Sequence, residues 1–451
     1  MKRDSYIQKL EAWKNSARRK PLILEGARQV GKTWLMREFA ASHYGNVVYV
    51  RFDKDRQLRR IFARDFDVGR ILHELEIAFR TRIEPSSTVL LFDEIQACKD
   101  ALTSLKYFCE DRPDLHVIAA GSLLGLEYRD GDDENADQEV NDSAETTGFP
   151  VGKVNTLPVH PLSFREFVCA MGDESLAAEM EHENYGALDD FAETLSDRLR
   201  HYFVIGGMPE AVEAYRQSGN LLDVHAVHRE ILSGYRRDFA KHAPKAMVSR
   251  IAAVWDSIPA QLAKENRKFS YSLIKKGDRA SRYRDPIAWL VDAGLVHVCT
   301  RSKAPRIPLS SYADTAFKVY LLDLGLLSSM SGLDSRIVIE GSRVFSEFKG
   351  ALAEQYVCQQ LVSEYDAEPY YWSTEDSRTE IDFLIQKNMG VVPVEVKSGE
   401  NLQSKSLKSY IGRYRPEEAI RFSLRSYSTQ AVPLPDGAQC RLSNIPLYAV
   451  K

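Results

Sequence analysis

The run Gly26-Ala27-Arg28-Gln29-Val30-Gly31-Lys32-Thr33 constrains this chain more than any other stretch of it. It follows a short apolar segment, Pro21–Glu25, whose pattern predicts a buried strand, and it leads into Lys32–Ser42, whose apolar spacing predicts a helix. This is G-x-x-x-x-G-K-[ST] in the strand-to-helix setting that the pattern requires. The glycines let successive backbone N–H groups turn toward one point, and the helix start adds the positive end of its dipole. Such a concavity suits phosphate oxygens. Lys32 would reach the β- and γ-phosphates, Thr33 would offer its hydroxyl to Mg²⁺, and Arg28 would add charge. All eight residues are therefore expected to belong to an ATP site.

Downstream, Val47–Phe52, Thr88–Phe92 and Leu115–Ala120 read as further strands, while Arg70–Arg80 and Ala101–Glu110 read as helices. Strands alternating with helices predict a parallel sheet covered on both faces. The third strand ends in Asp93-Glu94, two acids after four apolar residues, which is the form of a Walker B element. Asp93 would hold Mg²⁺ through water and Glu94 would polarise the attacking water, because hydrolysis needs a base that binding alone does not. Ser122, just after the fourth strand, is placed to sense the γ-phosphate. No arginine finger can be assigned, although Arg129 and Arg165 lie nearby in sequence.

The length, 451 residues, is enough for about three domains. With 44% hydrophobic and 27% charged residues the chain is not a disordered one. No apolar run approaches a membrane span, the start has no apolar signal core, and the six cysteines lie too far apart for a disulfide framework or a zinc site. A cytoplasmic protein with reduced thiols and no membrane partner is expected. The net charge of -4 conceals a division. Leu126–Thr147 carries nine acids and one base, and is expected to be a mobile surface loop, whereas Ala260–Ser310 carries eleven bases and four acids, including Lys275, Lys276, Arg279, Arg282 and Arg284. Helix, turn, basic helix (Ser281–Ala293) and strand in that second region resemble a winged helix-turn-helix and point to DNA.

Near the end of the chain, Glu380-Ile-Asp382-Phe and Val394-Glu395-Val396-Lys397 alternate as strands do. If the two strands are neighbours, Asp382, Glu395 and Lys397 converge, and Glu354 on the preceding helix could add an oxygen. Two carboxylates beside a lysine could hold Mg²⁺ against a scissile phosphate.

The order GARQVGKT, LLFDEIQ, AAGS, PLSFREF, YFVIGGMPE, KVYLLDLGLL, GALAEQYV, EIDFLI and VEVKSG resembles the AAA-type ATPases of the AAA_14 group that carry a C-terminal DUF4143 domain, over nearly the whole chain. Lys153 stands where that group is expected to have arginine, and the acidic stretch before it reads as an insertion. The resemblance implies an α/β multidomain chain: a P-loop ATPase core over 1–160 (acidic loop 127–147), a helical lid over 161–220, a winged-helix region over 221–340 and a PD-(D/E)xK nuclease-like domain over 341–451. It maps ATPase roles onto Lys32, Thr33, Asp93 and Glu94, and the nuclease-like set onto Glu354, Asp382, Glu395 and Lys397. ATP and Mg²⁺ are the implied cofactors, and homo-oligomerisation is left open. Two functions compete. One is an ATPase coupled to DNA binding and to Mg²⁺-dependent cleavage. The other is a nucleotide-controlled interaction switch whose nuclease-like domain is inactive.

Overall fold

The computed structural model describes residues 2–122, 149–264, 266–340, 346–387, 389–399, 403–434 and 437–450. They form two compact units, Met1–His160 with Asp292–Gly294, and Pro161–Val291 with Leu295–Lys451. The acidic segment 127–147, with Arg129, lies outside the described residues.

In the first unit, β1 (Leu22–Glu25), β2 (Asn46–Arg51), β3 (Thr88–Asp93), β4 (His116–Ala120) and β5 (Asn155–Pro158) form one sheet in the order β2-β3-β4-β1-β5, parallel at every pairing. Helix α1 (Asp4–Lys14) precedes the sheet, and helices α2 (Lys32–His43), α3 (Arg56–Ala63), α4 (Val68–Phe79) and α5 (Lys99–Asp111) lie between its strands. β3 and β4 are buried at every position, as their unbroken apolar runs require of strands covered on both faces. Phe52, Phe62, Phe92 and Phe108 stack edge to face in the core, at centroid distances of 5.2 to 5.8 Å. The helix expected from Arg70 begins two residues earlier, because Asp67 caps it by accepting from the Arg70 N–H at 3.0 Å. Sequence reading did not identify β5, four residues ending in proline on the sheet edge, where a missing N–H costs nothing.

The second unit opens with short helices, including Phe164–Ala170, Ala192–Ile205 and Pro209–Ser218, followed by the longer Leu221–His242 and Val248–Leu262. An eight-stranded mixed sheet follows, β12-β13-β11-β10-β9-β8-β6-β7, made of β6 (Val296–Ser302), β7 (Ala313–Leu321), β8 (Tyr370–Ser373), β9 (Glu380–Lys387), β10 (Gly390–Val396), β11 (Glu418–Ser423), β12 (Ser428–Pro433) and β13 (Gln439–Pro446). The hairpin β6–β7 joins the C-terminal strands through parallel pairing of β6 with β8, so one sheet runs through residues 296 to 446.

Gly206 and Gly207 follow the end of the helix Ala192–Ile205, and the reason is a close approach. A Cβ on Gly207 would lie 2.0 Å from the Leu162 carbonyl oxygen, and one on Gly206 would lie 2.3 Å from Asp323 Oδ1. Asp323 is fully buried and accepts from the N–H groups of Gly207 at 2.6 Å and Leu326 at 3.0 Å. The helix Ser346–Tyr365 lays three buried glutamines against the same region. Gln355 accepts from Leu321 N–H at 2.8 Å, Gln359 from Leu324 N–H at 2.9 Å, and Gln360 from Phe164 N–H at 2.9 Å. Three motifs far apart in sequence therefore satisfy one another's buried backbone groups, which would otherwise be costly to enclose.

Candidate active site

The ends of β1, β3 and β4 bring Lys32, Thr33, Asp93, Glu94 and Ser122 to the carboxyl edge of the parallel sheet, where open α/β sheets bind ligands. The loop after β1 turns through Gly26 at φ 132° and Gln29 at φ 67°, and α2 starts from Gly31 at φ 94°. Lys32 Nζ lies 2.8 Å from the Gly26 carbonyl oxygen and 2.7 Å from that of Ala27. Burial lowers its ammonium from the ordinary lysine range to about 8, against the opposing pull of Glu94 and Asp93. Arg3, which sequence reading missed, braces the loop from below, since its guanidinium donates to the Val30 carbonyl at 3.0 Å.

Thr33 Oγ1 stands 3.1 Å from both carboxylate oxygens of Asp93. A hydroxyl and a carboxylate placed together make an oxygen donor pair that fits Mg²⁺. Tyr49 on β2 donates to Asp93 Oδ2 at 2.6 Å, and the Glu94 N–H donates to Oδ1 at 3.1 Å, so the carboxylate is fixed from two sides. Burial, and then the hydrogen bond to Asp93, raise the Tyr49 phenol well above its usual range, which keeps it a donor. Glu94 occupies the left-handed region at φ 52°, a strained conformation for a residue with a side chain. Its Oε2 accepts from Gln96 Nε2 at 2.5 Å, Gln96 Nε2 also reaches Ser122 Oγ at 3.3 Å, and Arg28 Nε reaches Ser122 Oγ at 3.4 Å. Tyr49 and Gln96 are thus functional neighbours that sequence reading did not single out. Gln96 was visible as the last letter of LLFDEIQ, whereas nothing local marks Tyr49.

Residues 18–168 match the AAA domain family AAA_14. With that AAA domain the chain is a P-loop ATPase and binds nucleotide. Residues 349–438 match DUF4143 and residues 196–337 match DUF8612, both domains of unknown function. Comparison with curated proteins finds no match. Among solved structures, a Walker-type ATPase of Pyrococcus abyssi is similar over 73% of this chain and 95% of its own, at 17% identity and a TM-score of 0.43. The Orc1 protein of Aeropyrum pernix, solved in complex with DNA, is similar over 73% of this chain and 92% of its own, at 14% identity and a TM-score of 0.25. Scores this low carry no argument about fold or partner.

Elsewhere in the first unit, Lys153, just before β5, forms an ion pair with Glu110 at 2.8 Å. In the second unit Arg165 pairs with Glu181 at 3.0 Å and Glu364 at 3.5 Å. Among the described residues no helix is long and apolar enough to cross a membrane, and none of the six cysteines forms a disulfide.

The DUF4143 segment brings Glu354 and Asp382 together but surrounds them with cations from outside it. Glu354 is ion-paired with Arg267, lies 3.5 Å from Lys318 Nζ, and accepts from the Tyr320 hydroxyl at 3.0 Å. The same Lys318, with no exposed surface, is 2.6 Å from Glu380. Asp382 accepts from the Val396 N–H at 2.7 Å, and burial together with the neighbouring Glu354 carboxylate raises its carboxyl well above the usual range. Glu395 instead pairs with Lys397 at 2.8 Å and faces Arg421 across the β10–β11 register. Among the described residues no group of three or more His, Cys, Asp or Glu is arranged to hold a metal ion. The cluster as folded does not fit Mg²⁺, because an ammonium and a guanidinium already neutralise its carboxylates.

The helix expected to be basic over Ser281–Ala293 spans only Arg284–Asp292, where one base stands against two acids, and its buried face is apolar (Pro286, Ile287, Trp289, Leu290). Lys275, Lys276, Arg279 and Arg282 precede it on an exposed turn-rich stretch. Arg282 pairs with Asp278 at 2.9 Å, and other bases of the region are also engaged internally, Arg267 with Glu354 and Arg301 with Asp314.

Proposed function

We propose that the chain hydrolyses ATP at the carboxyl edge of its first sheet and uses the cycle to control a DNA contact made by the exposed bases between Lys275 and Arg284. The observation that carries the catalytic part is the convergence of Lys32, Thr33, Asp93, Glu94 and Ser122 at the ends of three adjacent parallel strands. Gly26 to Thr33 hold the phosphates by backbone N–H groups and Lys32, and Ser122 orients toward the γ-phosphate. Mg²⁺ held by Thr33 and Asp93 would neutralise charge on the phosphate oxygens. Glu94 accepts a proton from the attacking water.

The bases Lys275, Lys276, Arg279, Arg282 and Arg284 support nonspecific backbone binding, with affinity that falls steeply as salt is raised. The neutralising cations Lys318 and Arg267 favour a DUF4143 region that does not cut, and with it the reading in which nucleotide governs an interaction rather than cleavage. The lid, winged-helix and nuclease-like divisions at 161–220, 221–340 and 341–451 stand as part of this proposal. The test measures ATP turnover and salt-dependent DNA binding together. Lys32→Ala should abolish nucleotide binding, Glu94→Gln should bind ATP and turn it over slowly, and DNA should change the rate. Replacing Lys275, Lys276 and Arg279 with glutamine should remove the DNA response alone. A rate indifferent to DNA in the wild-type protein would sink the coupling, and Mg²⁺-dependent plasmid cleavage lost in Asp382→Ala would sink the non-cutting reading.

A further inference from the structure

Gln96 lies in the turn Ile95–Ala97 that directly follows Glu94. Its amide nitrogen, as described above, donates to Glu94 Oε2 and to Ser122 Oγ. A carboxylate can only accept, so the nitrogen must face Glu94, and the amide orientation is fixed by chemistry. The amide oxygen, Gln96 Oε1, is then buried and has no hydrogen-bond partner among the described residues. A buried acceptor left without a donor is expensive, and in a folded protein it calls for an explanation. Ser122 Oγ receives both Gln96 Nε2 and Arg28 Nε, which leaves its own hydroxyl proton for a further acceptor such as a phosphate oxygen.

We propose that Gln96 is a further catalytic residue of the ATPase: its amide oxygen accepts one O–H of the attacking water while Glu94 takes the other. The inference rests on the ATPase reading and deepens it. Water has two protons to place and must present a lone pair to the γ-phosphorus, and two acceptors on one side of it define that orientation. As the water oxygen bonds to the γ-phosphorus, the bond from that phosphorus to the bridging oxygen breaks. Its electron pair leaves with ADP. One water proton passes to the Glu94 carboxylate, and the other stays on the new phosphate, hydrogen-bonded to Gln96 Oε1. The amide nitrogen meanwhile ties Glu94 to Ser122, so base, water and γ-phosphate sensor share one side chain.

The full chain is assayed with ATP and Mg²⁺ as wild type, Gln96→Ala, Gln96→Met, Gln96→Glu, Glu94→Gln, the double variant Glu94→Gln/Gln96→Ala, and Lys32→Ala. Gln96→Ala and Gln96→Met should lower kcat by roughly a hundredfold, the scale of a mispositioned reactant, with KM and the affinity for a fluorescent ATP analogue within about twofold of wild type. Gln96→Glu keeps an acceptor but loses both N–H donors, and should fall between them and wild type. In the Glu94→Gln background the Gln96→Ala change should cost far less than alone, because both groups act on one water. Wild-type kcat in Gln96→Ala overturns the proposal. So does a loss of kcat matched by a loss of nucleotide affinity, or full additivity with Glu94→Gln, either of which marks a structural role. If wild-type turnover does not exceed that of Lys32→Ala, the ATPase reading fails and the proposal fails with it, a result distinct from a Gln96 variant that matches an active wild type.

Discussion

Tyr49 reaches the nucleotide site from a neighbouring strand, and its hydroxyl donates to Asp93 Oδ2, an oxygen that Thr33 also reaches. Tyr49→Phe removes one hydrogen bond to a charged group, worth about 2 kcal/mol. The expected result is a Mg²⁺ requirement raised by up to roughly thirtyfold, with nucleotide affinity in the absence of Mg²⁺ unchanged; a Mg²⁺ titration of the ATPase rate checks it. The contiguous motifs were legible because Gly26 to Thr33 and Asp93-Glu94 act through local backbone geometry, and their strands follow from unbroken apolar runs. Tyr49, Arg3 and Lys318 were not legible, since each acts on a partner that only strand order or chain crossing brings near. Glu354 and Asp382 lie together in the fold, but their cations come from residues 267 and 318, which no spacing rule links to them.

At the scale of elements, the junction around Gly206 and Gly207 has almost no room. Gly207→Ala would push a methyl into the Leu162 carbonyl, and it should destabilise the second unit by more than about 4 kcal/mol, read from denaturant unfolding. The helix Leu221–His242 docks there through His228, which is fully buried and bonds the Ile205 carbonyl through Nε2 at 3.0 Å. Burial lowers this imidazole to about 4, so the folded state keeps it neutral while an unfolded chain takes up a proton near pH 6.5. The unfolded state binds more protons between those values. Stability from this residue is therefore complete above about pH 6.5 and is lost as pH falls toward 4, by as much as about 3 kcal/mol. Unfolding temperature should drop on acidification through that window, and His228→Gln should flatten the drop.

For the molecule as a whole, the first unit carries the chemistry and the second carries a buried ionic centre whose charges come from widely separated segments. Lys318→Met leaves Glu354 and Glu380 without their shared ammonium and should cost about 3 to 5 kcal/mol, since an orphaned buried charge costs more than the pair contributes. A combined Lys318→Met/Glu380→Gln variant should recover part of that loss in the same unfolding measurement.

The glutamines of Ser346–Tyr365 have a consequence for the order in which the protein can be made. When synthesis has passed residue 340, the N–H groups of Phe164, Leu321 and Leu324 are in hand but the side chains that accept from them have not yet been added. β6 at that moment also lacks β8 beside it. The strands of the ATPase sheet are by then fully translated, whereas the second unit must wait, partly open, until the helix carrying Gln355, Gln359 and Gln360 emerges from the ribosome and closes it.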